Sequence, residues 1–372
     1  MREGAAGGVP GAVSAPEGRP GLVRACLGLP VERTPVWFMR QAGRSLPEYR
    51  AARGTASILE AVTEPELAAE VTLQPVRRYG VDAAVLFSDI VVPVHAAGFG
   101  VRIVAGRGPV VDRPFASGSD LARLRRLEAD DLSYVGETAR LVAAELEGSG
   151  VGLIGFAGGP FTLASYLIEG GASRTFGRTK ALMHGEQALW QALMDRLVEL
   201  TITFLTVQVQ AGAVAVQLFD SWAGSLSPAD YERFVLPHTR RIWAALEPLR
   251  VPRIVFGVGT GELLGLMAAS GAEVVGIDWR VPLDAARRRV HPRSVQGNLD
   301  PAICLAPWPV VEREAREVLA RAGSEPGHVF NLGHGVLPET DPGILGALVE
   351  LVHAEGRAGV VPGELAGSGS DG

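Results

Sequence analysis

Eight short apolar runs, rich in β-branched residues, recur along this chain and alternate with stretches of helical periodicity. The runs are Thr34–Arg40, Val81–Asp89, Val151–Gly158, Ala213–Asp220, Arg253–Val258, Glu273–Trp279, Ser294–Asn298 and His328–His334. Amphipathic segments lie between them, among them Ser57–Tyr79, Asp120–Glu147, Thr175–Gln210, Pro228–Leu249 and Pro309–Ala322. A strand followed by a crossover helix must pair in parallel with the next strand, so the alternation specifies an α/β protein with a parallel sheet. Eight repeats predict a closed, single-domain (β/α)8 (TIM) barrel, with an open doubly wound sheet as the alternative. The rhythm breaks once, between Ile90 and Asp120. There, Gly98–Val104 and Gly106–Val111 form two short alternating runs around Gly106-Arg107-Gly108, which read as a β-hairpin inserted after the second strand.

Composition narrows the function. A chain of 372 residues that is 47% hydrophobic can bury a large core. Its apolar stretches fall short of the roughly 20 residues that a membrane-spanning helix needs. A net charge of −6 argues against nucleic acid or an anionic membrane as partner, so any anionic ligand requires a local cluster of arginines. Lys180 is the single lysine. It lies in a polar stretch that reads as an exposed helix start, which makes Schiff-base chemistry improbable. Cys26 and Cys304 have neither CxxC nor metal-ligand spacing, and a reducing cytoplasm is the expected compartment. Residues 1–20 are rich in Gly, Ala and Pro without a cationic start or apolar run. They read as a disordered extension and not a signal peptide, ahead of a barrel at 21–358 and a flexible tail at 359–372.

In barrels, chemistry sits at the carboxyl ends of the strands. The first run ends in Arg40-Gln41-Ala42-Gly43-Arg44, where two guanidinium forks four residues apart suit bidentate capture of carboxylates. The second ends in Asp89 with apolar residues on both sides. A carboxylate there is costly to bury, and it either serves chemistry or caps a following helix, although Ile90-Val91-Val92-Pro93 does not read as a helix start. Gly155–Gly159 forms a strand end and tight turn before a helix that carries Tyr166, whose hydroxyl either points into the pocket or packs as an ordinary aromatic. No Gly-x-x-x-x-Gly-Lys pattern accompanies it, which excludes a P-loop. Ser221 lacks a nucleophile elbow and reads as a hydrogen-bond donor. His334, between Gly333 and Gly335, closes the series.

These pieces, over residues 20 to 358, resemble the uroporphyrinogen decarboxylase family, the resemblance resting on Met39–Arg50, Gly155–Gly171, Gln217–Gly224, Gln296–Pro301 and Asn331–Pro342. It implies a cofactor-free barrel, usually a homodimer, that takes uroporphyrinogen III to coproporphyrinogen III by removing the acetate carboxyls as CO2. Carried over by motif, the substrate-binding positions are Arg40, Gln41, Ala42, Gly43, Arg44, Arg53, Asp89, Tyr166, Ser221 and His334, with Asp89 and Arg40 as the catalytic pair. Arg53 rests on the resemblance alone. Gly159 and Phe161 stand where the family commonly has Ala and Trp. Two other readings remain at this point. One is a zinc-dependent, corrinoid-linked methyltransferase on the same barrel, which needs His and Cys ligands on the later strands. The other is a tetrapyrrole-binding paralogue without activity.

Overall fold

The apolar runs form the inner layer of the molecule and the amphipathic segments its outer layer. A computed structural model describes residues 19–43, 45–104 and 106–356. The strands are β1 (Ala83–Val85), β2 (Val101–Val104), β3 (Gly108–Val111), β4 (Gly152–Gly158), β5 (Ala215–Phe219), β6 (Arg253–Phe256), β7 (Val274–Gly276), β8 (Ser294–Gln296) and β9 (His328–Val329). Among the described residues, seven of them form one parallel sheet in the order β1-β4-β5-β6-β7-β8-β9. Most of their residues are buried on both faces, as crossover helices on a parallel sheet require. The β2 and β3 strands pair antiparallel and stand apart from that sheet.

The first run departs from expectation. Thr34–Arg40 contains no regular strand; Val36 makes a single parallel bridge to Phe330. Pro35 offers no amide donor, and Arg40 turns to φ 61°. The segment nevertheless bonds to both edges of the sheet. Phe330 N donates to Pro35 O (2.8 Å) and Trp37 N to Phe330 O (3.3 Å), while on the other side Asp82 N donates to Val36 O (2.9 Å). The curled sheet is thereby joined to itself through residues 35–37.

Prolines and glycines also subdivide the amphipathic segments. Ser57–Tyr79 becomes two helices, Ile58–Val62 behind a Ser57 capping box and Pro65–Tyr79 with Pro at its start. Thr175–Gln210 splits into Gly177–Gly185 and Gln187–Gln210. Residues 1–18 and 357–372, where extension and tail were expected, lie outside the described residues; Pro20 leads directly into the helix Gly21–Cys26. Among the described residues no helix is long and apolar enough to cross a membrane.

Within the core, the indole Nε1–H of fully buried Trp37 donates to Gln296 Oε1 (3.2 Å), and Gln296 Nε2 donates to Gln217 Oε1 (3.0 Å). This polar thread lets large side chains fill the centre without stranding the indole donor. At the amino ends of the strands one carboxylate gathers several segments. Asp82 Oδ2 accepts from Val36 N (2.8 Å) and pairs with His353 Nε2 (2.7 Å) on the helix Pro342–Glu355, while Oδ1 meets Arg33 (3.1 Å). Asp82→Ala leaves the Val36 amide unpaired, and the predicted loss is about 1–3 kcal/mol in urea unfolding. An unchanged midpoint would mean that the joint does not depend on this carboxylate.

Candidate active site

The main chain is pinned immediately before Arg40. Met39 N donates to Asn331 Oδ1 (3.1 Å), and Val336 N donates to Met39 O (2.9 Å). Next comes the positive φ at Arg40, a backbone state costing an L-residue roughly 1–2 kcal/mol. Gln41 holds that turn: its Oε1 accepts from Phe38 N (2.9 Å) and its Nε2 donates to Ala83 O (2.8 Å). The Gln41 amide is therefore engaged with the protein's own backbone. Arg40 is left exposed at the carboxyl end of the sheet, its stem lying against Gly335. A Cβ on residue 335 would sit 2.5 Å from Arg40 Cδ and 3.2 Å from its Cβ. Ala42 is half-buried, and Gly43, at φ 103°, turns its bare face to Tyr49 and Phe87. Arg44 lies outside the described residues.

Asp89 stands two residues beyond Phe87. Its Oδ1 accepts from Val91 N (3.0 Å), just ahead of a short helix at Val92–Ala96. A helix does follow, contrary to the reading of Ile90–Pro93, because Pro93 occupies a first-turn position where no amide donor is needed. Burial raises the Asp89 carboxyl above the usual aspartate range, opposed by the Val91 amide and by the charge of Arg40. Tyr166, on the helix Pro160–Glu169, is pushed up to about 12, first by burial and then by Asp89, with Arg40 acting the other way. Arg40, Asp89 and Tyr166 thus lie within each other's electrostatic reach.

The Tyr166 ring lies 4.1 Å, centroid to centroid, from Trp222, which follows Ser221. His334 stacks on Phe256 at 6.0 Å. Arg53 sits further out. Its Nη1 donates to Ala56 O (3.0 Å) and its guanidinium lies 5.2 Å from the Tyr49 ring centre, with Tyr49 in turn 5.7 Å from Phe87. Lys180 is half-buried and donates from Nζ to Ser225 O (2.6 Å), so it is a structural tie and not an exposed helix start.

Two features carried no assigned role in the sequence reading, although Asp220 stood there at the end of a run. One is an aromatic floor: Phe219 and Phe256 are register partners on β5 and β6, 6.0 Å apart, and Phe156 on β4 meets Phe219 edge-on at 5.4 Å. Their position near the strand ends was the available signal. The other is Asp220, which is 3% exposed and whose carboxyl burial pushes up to about 6.

A curled parallel sheet with an exposed arginine, a half-buried carboxylate and a phenol at its carboxyl end has the architecture of a barrel-type enzyme. The uroporphyrinogen decarboxylase model matches residues 18–355. Proteins named uroporphyrinogen decarboxylase are 60% identical in Salinispora tropica, over 89% of both chains, and 60% identical in Thermobifida fusca, over 90% of this chain and 92% of that one. A methyltransferase from Methanosarcina mazei shares the fold, with a TM-score of 0.74 at 24% identity over 89% of this chain and 96% of that one. This chain belongs to the uroporphyrinogen decarboxylase family.

Two measurements probe the geometry. Gly335→Ala should displace Arg40 and lower kcat/KM by about tenfold or more, since small misplacements of a positioning group are costly; wild-type kinetics would place Arg40 elsewhere. The second concerns Asp89. A raised folded pKa means that this group's contribution to stability is present below its unfolded value and lost as pH rises through the folded one. Asp89→Asn should therefore melt higher than the wild type at neutral pH, with the difference shrinking in acid. A lower melting temperature at neutral pH would show that the charge is fully compensated.

Proposed function

We propose that this protein removes the four acetate carboxyls of uroporphyrinogen III as CO2, giving coproporphyrinogen III in haem and porphyrin biosynthesis. The observation that carries the proposal is the half-buried carboxylate of Asp89, raised above the usual aspartate range by desolvation, in electrostatic reach of Arg40 and Tyr166 at the sheet's carboxyl end. Direct loss of CO2 from a pyrrole acetate would strand a carbanion. A proton from solvent, added first to the adjacent ring carbon, makes the ring its own electron sink. Loss of CO2 leaves an exocyclic methylene, which takes up a proton to become the methyl while the ring carbon gives its added proton back to solvent. The cations formed on the way need a fixed negative partner. Asp89 supplies it by accepting hydrogen bonds from the pyrrole N–H groups and stabilising positive charge as it develops. Arg40, together with Arg44, grips carboxylates on the macrocycle's rim. A guanidinium with pKa above about 12 is a poor proton donor, so Arg40 acts through charge and position. Tyr166, held near 12, stays protonated and donates a hydrogen bond. Ser221 and His334 orient the macrocycle's edge, Gln41, Ala42 and Gly43 shape the turn beneath it, and Arg53 steers from behind Tyr49.

Several further readings belong with this one. Residues 35–37 serve as the eighth stave of a closed (β/α)8 barrel. The β2–β3 hairpin forms part of the rim, because Val111 N donates to Gly170 O (3.0 Å) at the end of the Tyr166 helix. A cytoplasmic homodimer is the working form. The methyltransferase reading is not favoured. Cys304 is buried in the helical turn Pro301–Leu305 after β8, and among the described residues no cluster of His, Cys, Asp and Glu gathers in a metal-binding group.

Anaerobic incubation with uroporphyrinogen III should release seven-, six-, five- and four-carboxyl products in sequence. Tight binding without product would favour the non-catalytic tetrapyrrole-binding reading, and no binding would overturn the assignment. Asp89→Asn should lower kcat by about a hundredfold or more, and retention of most turnover would remove the electrostatic role. In the wild type, the acid limb of kcat/KM should lie above the ordinary aspartate range, because activity is lost as Asp89 protonates.

A further inference from the structure

Asp220 is buried, and no ion pair to it exists among the described residues. Its Oδ1 accepts two hydrogen bonds from one residue, the amide of Thr162 (2.8 Å) and the hydroxyl of Thr162 (2.7 Å). Its Oδ2 is buried without a hydrogen-bond partner. Burying a carboxylate in this way is costly, so its retention beside the site demands an account.

The surrounding geometry supplies one. The Thr162 hydroxyl donates to Asp220 and accepts in turn from Trp222 N (3.1 Å). Trp222 packs against Tyr166, the ring centres 4.1 Å apart and the planes tilted by 35°. Ser221 lies between two clamped residues, since Asp220 N donates to Phe256 O (2.8 Å) and Ala223 N to Asp220 O (3.0 Å). Thr162 and Tyr166 are one helical turn apart on Pro160–Glu169, so the same hydroxyl joins that helix to the loop after β5. Gly159 makes the approach possible: a Cβ there would lie 2.5 Å from Asp220 Cγ and 2.7 Å from Asp220 Cα.

We propose that Asp220 is a positioning residue, which through the Thr162 hydroxyl and Trp222 holds Tyr166 and Ser221 in register with Asp89. The inference rests on the decarboxylase reading for what the register serves, but the register itself is a property of the fold. Thr162→Val removes the hydroxyl while keeping the size and the amide donor, and Thr162→Ser restores the hydroxyl. Because the arginine grip is untouched, Thr162→Val should lower kcat about tenfold or more with KM within about twofold, and Thr162→Ser should return to within about twofold of wild type. Wild-type kcat in Thr162→Val, or equal impairment of both variants, would overturn the proposal. A crystal structure of Thr162→Val decides the same point without turnover: the proposal expects the Tyr166–Trp222 ring contact to open, and an unchanged contact overturns it. If the wild type produced no decarboxylated product, the functional reading would fall and this structural arm would still judge the positioning role.

Discussion

The hydrogen bonds that hold residues 35–39 between the two edges of the sheet govern the rest of the molecule. Pro35, Val36 and Trp37 give and receive backbone bonds with Phe330 and Asp82, and Met39 is stitched to Asn331 and Val336. Buried backbone groups must find partners, so this segment has little freedom to move. Its rigidity delivers Arg40 to the mouth of the site and fixes the turn that Gln41 completes. The Asp82 carboxylate and the Trp37–Gln296–Gln217 thread reinforce the same joint from below.

On that frame sits a carboxylate in an unfavourable place. Asp89 has one amide hydrogen bond and a nearby arginine, and burial still raises its pKa. Stability and chemistry pull in opposite directions here. A group that destabilises the empty site is poised to stabilise a cation that arrives or develops within it, and in a poorly hydrated pocket that interaction is stronger than in water. The floor of Phe156, Phe219 and Phe256 keeps the surroundings apolar, with the Asp89 carboxylate set toward the middle and the positive charge of Arg40 at the exposed edge. A macrocycle with apolar faces, an N–H centre and acidic side chains matches that division.

Much of this was legible in the sequence. The alternation of apolar runs with helical segments anticipated a parallel sheet, and the run ends brought forward Arg40 and Asp89, which lie within electrostatic reach of each other. Regular strand at Thr34–Arg40 was not legible correctly, because Pro35 and the positive φ of Arg40 override its apolar pattern. The helix after Asp89 was missed because its first turn is apolar and lacks an ordinary cap residue. The roles of Asp220, which stood at a run end, and of the phenylalanine floor were not legible for a different reason. Their importance lies in what they touch, Thr162 in one case and one another in the other, and no local pattern announces such contacts.

The central claim is that Asp89 faces the centre of a bound tetrapyrrole. An anaerobic crystal structure with coproporphyrinogen III tests it most directly. The account predicts the pyrrole nitrogens gathered within about 3 Å of the Asp89 carboxylate, with the propionates toward Arg40. A macrocycle bound with its centre away from Asp89, or with the carboxylate turned from it, would contradict the account.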